Sequence, residues 1–212
     1  MKIEKLVVGR IGEQTYFIID EATKKAFVVD PGDDAAIINR KIDADGLQIE
    51  KILLTHGHFD HIGAVEEVRR HTGAKVVIHE EGKRYLEDVA YNLSTMFDGF
   101  LTLQADEYVQ DRGVITLKGT DISLEVIHAP GHTKDGVAFY SHKYKVAFVG
   151  DIIFRGSIGR TDFLGGNTTD LIHNIRERIF TLDKDVVLYP GHGPSTTVGY
   201  EKLHNASFNM FE

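Results

Sequence analysis

Thr55-His56-Gly57-His58-Phe59-Asp60-His61 is the stretch on which the fold turns. Within His56 to His61 it places three imidazoles and a carboxylate. With 11 His and 18 Asp in 212 positions, the string H-x-H-x-D-H is expected by chance on the order of 10⁻³ times in a chain of this composition. A strand-like run, Lys51 to Leu54, leads into the motif. The pattern Ile62 to His71, with Ile62, Val65 and Val68 at helical spacing, leaves it. Four ligand-type side chains therefore stand at the carboxyl end of a strand, in a loop where Gly57 permits unusual backbone angles. That is where α/β sheets build their sites.

Three further segments repeat the design of a strand ending in a ligand-type residue beside glycine or proline. Ser123 to Ile127 leads to Pro130-Gly131-His132-Thr133, Val146 to Val149 to Gly150-Asp151, and Val186 to Tyr189 to Pro190-Gly191-His192-Gly193. Seven candidate ligands, His56, His58, Asp60, His61, His132, Asp151 and His192, thus stand at four strand ends. The chain has no cysteine, which removes disulfides, thiolate nucleophiles and Cys-based metal sites. Any metal must be held by imidazole and carboxylate, a donor set that suits zinc, iron or manganese.

Further strand-like runs are Ile3 to Val8, Thr15 to Ile19, Ala26 to Val29, Ala74 to Ile78 and Gly136 to Tyr140. Further helical patterns are Asp34 to Ile42, Glu80 to Val89 and Thr169 to Ile179, the last with Thr168 or Thr169 as its cap. Strand–helix alternation after an antiparallel-looking start predicts a layered α/β (α+β) domain spanning residues 1–212. Tyr91 to Asp111 fits no clean period and is expected to be core packing or a flap, with Met96 or Phe97 as a pocket wall. A formal charge of −8, from Lys+Arg 24 and Asp+Glu 32, argues against nucleic acid as a partner. No apolar run reaches the 18 or so residues of a membrane span, and Leu6-Val7-Val8 is too short for a signal-peptide core. A cytoplasmic location is the expectation.

The ordered set H-x-H-x-D-H, His132, Asp151 and His192 resembles the metallo-β-lactamase superfamily over nearly the whole chain. The resemblance implies an αββα sandwich, two mixed sheets face to face with helices outside. It implies a binuclear site: His56, His58 and His132 for one ion, Asp60, His61 and His192 for the other, and Asp151 bridging. Gly156-Ser157-Ile158-Gly159-Arg160-Thr161-Asp162-Phe163, Gly165-Gly166-Asn167 and Tyr189-Pro190-Gly191-His192-Gly193-Pro194 are similar to the glyoxalase II-like (hydroxyacylglutathione hydrolase-like) group, in its small bacterial form. Only twenty residues follow His192, so the C-terminal helical substrate domain of the larger enzymes is not expected.

The implied chemistry is hydrolysis by a water held between two divalent ions, zinc first, with iron or manganese as alternatives. Its pKa falls to about 7 at such a site. Asp60 and His61 are the candidate catalytic residues, with a metal-bound hydroxide as the nucleophile. The expected substrate is a small-molecule thioester such as a 2-hydroxyacyl-glutathione, whose thiolate leaves without a strong proton donor. The alternative is a persulfide dioxygenase with one iron on His56, His132 and Asp151. A lactonase or β-lactamase ranks lower, since zinc β-lactamases usually replace the bridging Asp.

Arg160 and Phe97 are the candidate substrate contacts, although an Arg160–Asp162 ion pair is an equally good reading. His128 is either a partner behind the ligands or an ordinary strand residue. His71 belongs at a helix end, His79, His142 and His173 are packing or solvated residues, and the Lys202–Asn205 segment lies within reach of the site mouth.

Overall fold

Strand β1 (Lys2–Val8) pairs antiparallel with β2 (Glu13–Ile19), and β2 antiparallel with β3 (Lys25–Val29). Helix α1 (Ala35–Asp45) crosses to β4 (Gln48–Leu53), which lies parallel to β3. Two short helices, α2 (Phe59–Ile62) and α3 (Val65–Thr72), lead to β5 (Lys75–His79), parallel to β4. A 3-10 turn, Glu80–Gly82, α4 (Lys83–Glu87) and a second 3-10 turn, Ser94–Phe97, precede β6 (Glu107–Val109), which closes a six-stranded mixed sheet in order β1 to β6. This is the computed structural model of the chain, and it describes residues 1–97 and 99–209, without the side chains of Phe97 and Asn209.

The second sheet is formed by β7 (Val114–Thr116), β8 (Ser123–His128), β9 (Val137–Ser141) and β10 (Val146–Gly150), with later strands on its far side. A small ribbon of β11 (Ile153–Phe154) and β12 (Ser157–Ile158) follows, then α5 (Thr168–Asn174), continued by a π turn at Ile175–Ile179. Strands β13 (Val187–Pro190) and β14 (Thr196–Thr197) complete the order β14-β13-β10-β9-β8-β7. Helices α6 (Val198–His204) and α7 (Ala206–Asn209) end the described chain.

Strand alternation assigns side chains to layers. In β2, Tyr16 and Ile18 face the second sheet and pack with Phe139 and Phe148, while Phe17 and Ile19 face outward onto Ile38, Ile42 and Val68. The second sheet repeats the pattern: Ala147 and Val149 turn outward onto Leu171, Ile175 and Ile179, and Phe148 turns inward. Each of the larger aliphatic and Phe side chains here is worth about 1.5–3 kcal/mol on burial, so a one-residue slip of either strand would expose several at once. The result is the expected αββα sandwich.

Several boundaries differ from the sequence reading for physical reasons. The pattern Ile62 to His71 is two helices rather than one, because Ala64 N donates to Pro31 O at 3.0 Å and the chain turns there. The cap of α5 is Asn167, whose side chain accepts from Asp170 N at 3.2 Å, rather than Thr168 or Thr169. Edge strands β6, β7 and β14 have two or three residues each, too few to show a period.

The sandwich sets the site by direction. Strands β3 and β4 are parallel, and in the second sheet β8, β10 and β13 all run the same way. The two sheets are tied at that edge: Gln14 N donates to Gly191 O at 2.8 Å, Tyr16 Oη to Pro190 O at 2.7 Å, and Val137 N to Thr55 O at 2.9 Å.

Candidate metal centre

The loop after β4 carries His56 and His58, and α2 carries Asp60 and His61. The loops after β8, β10 and β13 bring His132, Asp151 and His192 to the same edge. His56 Nε2 lies 3.2 Å from His58 Nδ1, and His132 Nε2 lies 3.0 Å from the same atom. A tetrahedral ion with bonds of 2.0–2.1 Å spaces its ligand atoms by roughly 3.3 Å, so these three nitrogens already sit near ligand spacing.

The second group is Asp60, His61 and His192. His192 Nε2 is 3.1 Å and His61 Nε2 3.7 Å from Asp60 Oδ2. Asp151 faces both groups: its Oδ2 is 3.7 Å from His132 Nε2 and 3.8 Å from His192 Nε2, and its Oδ1 is 3.4 Å from His61 Nε2.

Hydrogen bonds on the far side of each ring settle which nitrogen keeps its proton. His132 Nδ1 donates to the carbonyl of Arg160 at 2.6 Å, and His61 Nδ1 donates to Asp30 Oδ2 at 3.0 Å. His56 Nδ1 donates to Thr55 Oγ1 at 3.2 Å, while the Thr55 hydroxyl proton goes to Asp30 Oδ2 at 2.6 Å. His56 and His132 then turn an Nε2 lone pair inward, the arrangement that metal-binding histidines require, and His61 turns its Nε2 inward as well. Asp30 also accepts from Thr55 N at 2.8 Å, so one buried carboxylate orders the start of the histidine loop and His61 together.

Electrostatics agree with a site made for cations. Burial pushes His56 well below its ordinary value, and burial together with the facing His132 pushes His58 down to about 3. Both are neutral at pH 7. Burial disfavours charge on Asp151, yet His61, His132 and His192 outweigh it and hold the carboxyl well below the usual range. Burial likewise opposes charge on His61, and Asp60, Asp151 and Asp30 overcome it and raise its pKa. Among the described residues, His61 Nε2 and Asp151 Oδ1 are buried without a hydrogen-bond partner. Unpartnered donor atoms at ligand spacing, beside carboxylates that stay ionised, fit a pair of divalent ions.

Two glycines make the convergence possible. A Cβ on Gly191 would lie 2.5 Å from Asp151 Oδ1 and 2.6 Å from His61 Cε1, so a side chain there would enter the donor cluster. Gly150 has φ +48° and approaches Thr55 so closely that a Cβ would meet Thr55 Oγ1 at 2.3 Å.

All seven expected ligands therefore meet. The other candidates lie differently. The guanidinium of Arg160 forks onto Asp162, Nε to Oδ1 at 2.7 Å and Nη2 to Oδ2 at 2.6 Å, and lies 4.0 Å from the ring of Phe163. Its carbonyl, rather than its side chain, touches the centre. Phe97 ends a 3-10 turn, and its side chain lies outside the described residues. His128 stacks on the buried His79 at 3.9 Å and donates to Lys134 O, away from the ligands. His71 pairs with Asp43 at 2.8 Å.

Asp30, Thr55 and Glu13 were not singled out in the sequence, and Asp30 had a legible signal. It follows Ala26 to Val29 and precedes Pro31-Gly32, the same strand-end pattern that marked the ligands.

Comparison with known proteins agrees with this geometry. The hydroxyacylglutathione hydrolase GloC of Haemophilus influenzae is 36% identical over 214 residues, covering 99% of both chains. The probable metallo-hydrolase YqgX of Bacillus subtilis is 36% identical over 213 residues, covering 100% of this chain and 99% of that protein. Among solved structures, BLEG-1 B3 metallo-beta-lactamase superposes with a TM-score of 0.92 at 36% identity, over 97% of this chain and 99% of its own. TTHA1623 in a di-iron-bound form gives 0.85 at 29%, over 96% and 99%. ETHE1 from Myxococcus xanthus gives 0.79 at 27%, over 97% and 84%. The profile of one family, described as the metallo-beta-lactamase superfamily, matches residues 9–192, and with these relatives it shows that the chain belongs to that superfamily.

Proposed function

We propose that the chain is a binuclear metal-dependent thioester hydrolase, acting on small 2-hydroxyacyl thioesters of the lactoylglutathione kind. What supports this reading is Asp151, whose Oδ2 lies between His132 and His192 and whose Oδ1 faces His61, so that one carboxylate borders both halves of the cluster. Similarity to the GloC hydrolase of Haemophilus influenzae supports the substrate class.

His56, His58 and His132 would hold one ion, Asp60, His61 and His192 the other, and Asp151 both. When bound, a divalent pair supplies Lewis acidity and lowers the pKa of water to about 7. Zinc suits the donors, and iron or manganese suits them as well. The chain's own contribution is positioning. Asp30 and the Arg160 carbonyl hold ring protons on Nδ1 of His61 and His132, which keeps both Nε2 atoms aimed at the reaction site. Departure of a thiolate needs no general acid, and no side-chain nucleophile is required.

A single-iron dioxygenase is the second reading, favoured by the likeness to ETHE1 from Myxococcus xanthus. It would leave Asp60, His61 and His192 gathered around no ion, with His61 Nε2 buried and unpartnered. Purified protein should therefore be assayed in parallel for thiol release from lactoylglutathione, persulfide-dependent oxygen uptake and opening of a β-lactam. Thiol release as the dominant activity is the expected result. Dominant oxygen uptake or β-lactam opening would replace this reading.

A further inference from the structure

Beside the metal centre lies a cavity of about 600 Å³, and Asp60 and Glu13 form part of its floor. Its walls come from three separate pieces of chain. The β1–β2 turn contributes Arg10 and Ile11, the loop before α1 contributes Asp33, and the segment following α4 contributes Met96. Gly9 N donates to Asp34 Oδ2 at 2.9 Å, and a Cβ on Gly9 would lie 3.0 Å from the Asp33 carboxylate. The turn and the loop are thus held together in one wall that includes both Arg10 and Asp33.

Size and charge identify the occupant. A volume of about 600 Å³ falls in the 300–1,000 Å³ range of sites for drug-sized molecules, far more than a three-carbon acyl group fills. What remains of a thioester is its thiol carrier. Among the described residues Arg10 is the one cation of the lining, against the carboxylates of Asp33 and Asp60, while Glu13 is fully buried. Carriers ending in several phosphates need several cations, and they do not match this wall. Arg10 and Asp33 are both exposed, and among the described residues neither belongs to an ion pair within 4.0 Å. Unpaired opposite charges on one wall suit a zwitterion, while Ile11 and Met96, both exposed at the rim, cover an aliphatic stem.

We infer that this cavity is the carrier site of the thioesterase proposed above, and that it takes a thiol bearing a free α-amino carboxylate, the carboxylate on Arg10 and the ammonium on Asp33. Arg10 and Asp33 are then the specificity-determining residues, and they lie on the Asp60 side of the centre, away from the Arg160–Asp162 pair.

The test uses non-cleavable probes on the metal-loaded protein, with binding read by calorimetry. S-methylglutathione carries the zwitterion, and N-acetyl-S-methylcysteamine lacks it. The wild type is expected to prefer the first by about tenfold or more, and Arg10→Gln and Asp33→Asn are each expected to lose most of that preference. Melting curves show whether the two surface variants remain folded. Equal binding of the two probes by the wild type, or unchanged binding of S-methylglutathione by both variants, would overturn the inference. Because neither probe is cleaved, selective binding without lactoylglutathione hydrolysis would sink the hydrolase reading alone, and hydrolysis without selective binding would sink this one alone.

Discussion

Nδ1 of His61 and Oδ2 of Asp30 are joined by a hydrogen bond of 3.0 Å, and the same oxygen receives the Thr55 hydroxyl proton at 2.6 Å. One carboxylate outside the candidate ligand set therefore fixes the tautomer of a candidate ligand on α2 and the start of the loop that carries two more candidates. Asp30→Asn keeps the shape but weakens acceptance at that oxygen. Metal affinity is expected to fall about 10- to 100-fold, as measured by chelator competition, with the fold retained. Wild-type affinity in this variant would show that Asp30 does not order the centre.

Gly191 faces the donor atoms so closely that any side chain intrudes on Asp151 and His61. Gly191→Ala is expected to leave the secondary structure intact by circular dichroism while the protein retains less than one ion per chain. Normal metal content in this variant would contradict the close approach.

Asp135 is fully buried three residues after His132, and burial pushes its carboxyl up to about 7. The folded state then holds a proton between pH 4 and 7 that the unfolded chain has released, so the group's contribution to stability falls as pH rises through that window. Asp135→Asn removes the effect. It is expected to stabilise the protein by roughly 2–4 kcal/mol at pH 8 and by much less at pH 4.5, as read from denaturant unfolding of the metal-free chain. An equal effect at both pH values would show that this carboxyl does not titrate as described.

The candidate ligands were legible because His56, His132, Asp151 and His192 each follow a strand-like run beside glycine or proline, with His58, Asp60 and His61 in the same short string, a pattern visible in one sequence. Asp30 obeyed the same pattern, but a single carboxylate before Pro31-Gly32 also reads as an ordinary turn. The break between α2 and α3 was not legible, since it depends on Ala64 reaching Pro31 from a distant loop. Nor was the cavity beside Asp60. Its walls come from turns at Arg10 and Asp33 and from the irregular stretch around Met96, and only the closed sandwich brings these together.

The charge state of the metal-free cluster carries its own consequence. Burial opposes protonation of His61, but Asp60, Asp151 and Asp30 raise its pKa, so near neutral pH an incoming cation must displace a proton. Zinc uptake at pH 7 is expected to release protons, measured by calorimetry in buffers of different ionisation enthalpy. Affinity is expected to weaken as pH falls. Uptake without proton release would contradict the description of His61.

Asp151 borders both halves of the cluster, and whether it joins two ions is read from metal content per chain, by elemental analysis, for the wild type and Asp151→Asn. Two ions per chain are expected in the wild type. The variant is expected to hold fewer and to lose several orders of magnitude in thiol release from lactoylglutathione without unfolding. One iron per wild-type chain, or an Asp151→Asn variant that keeps two ions and near-normal turnover, would rule out a binuclear centre joined by Asp151.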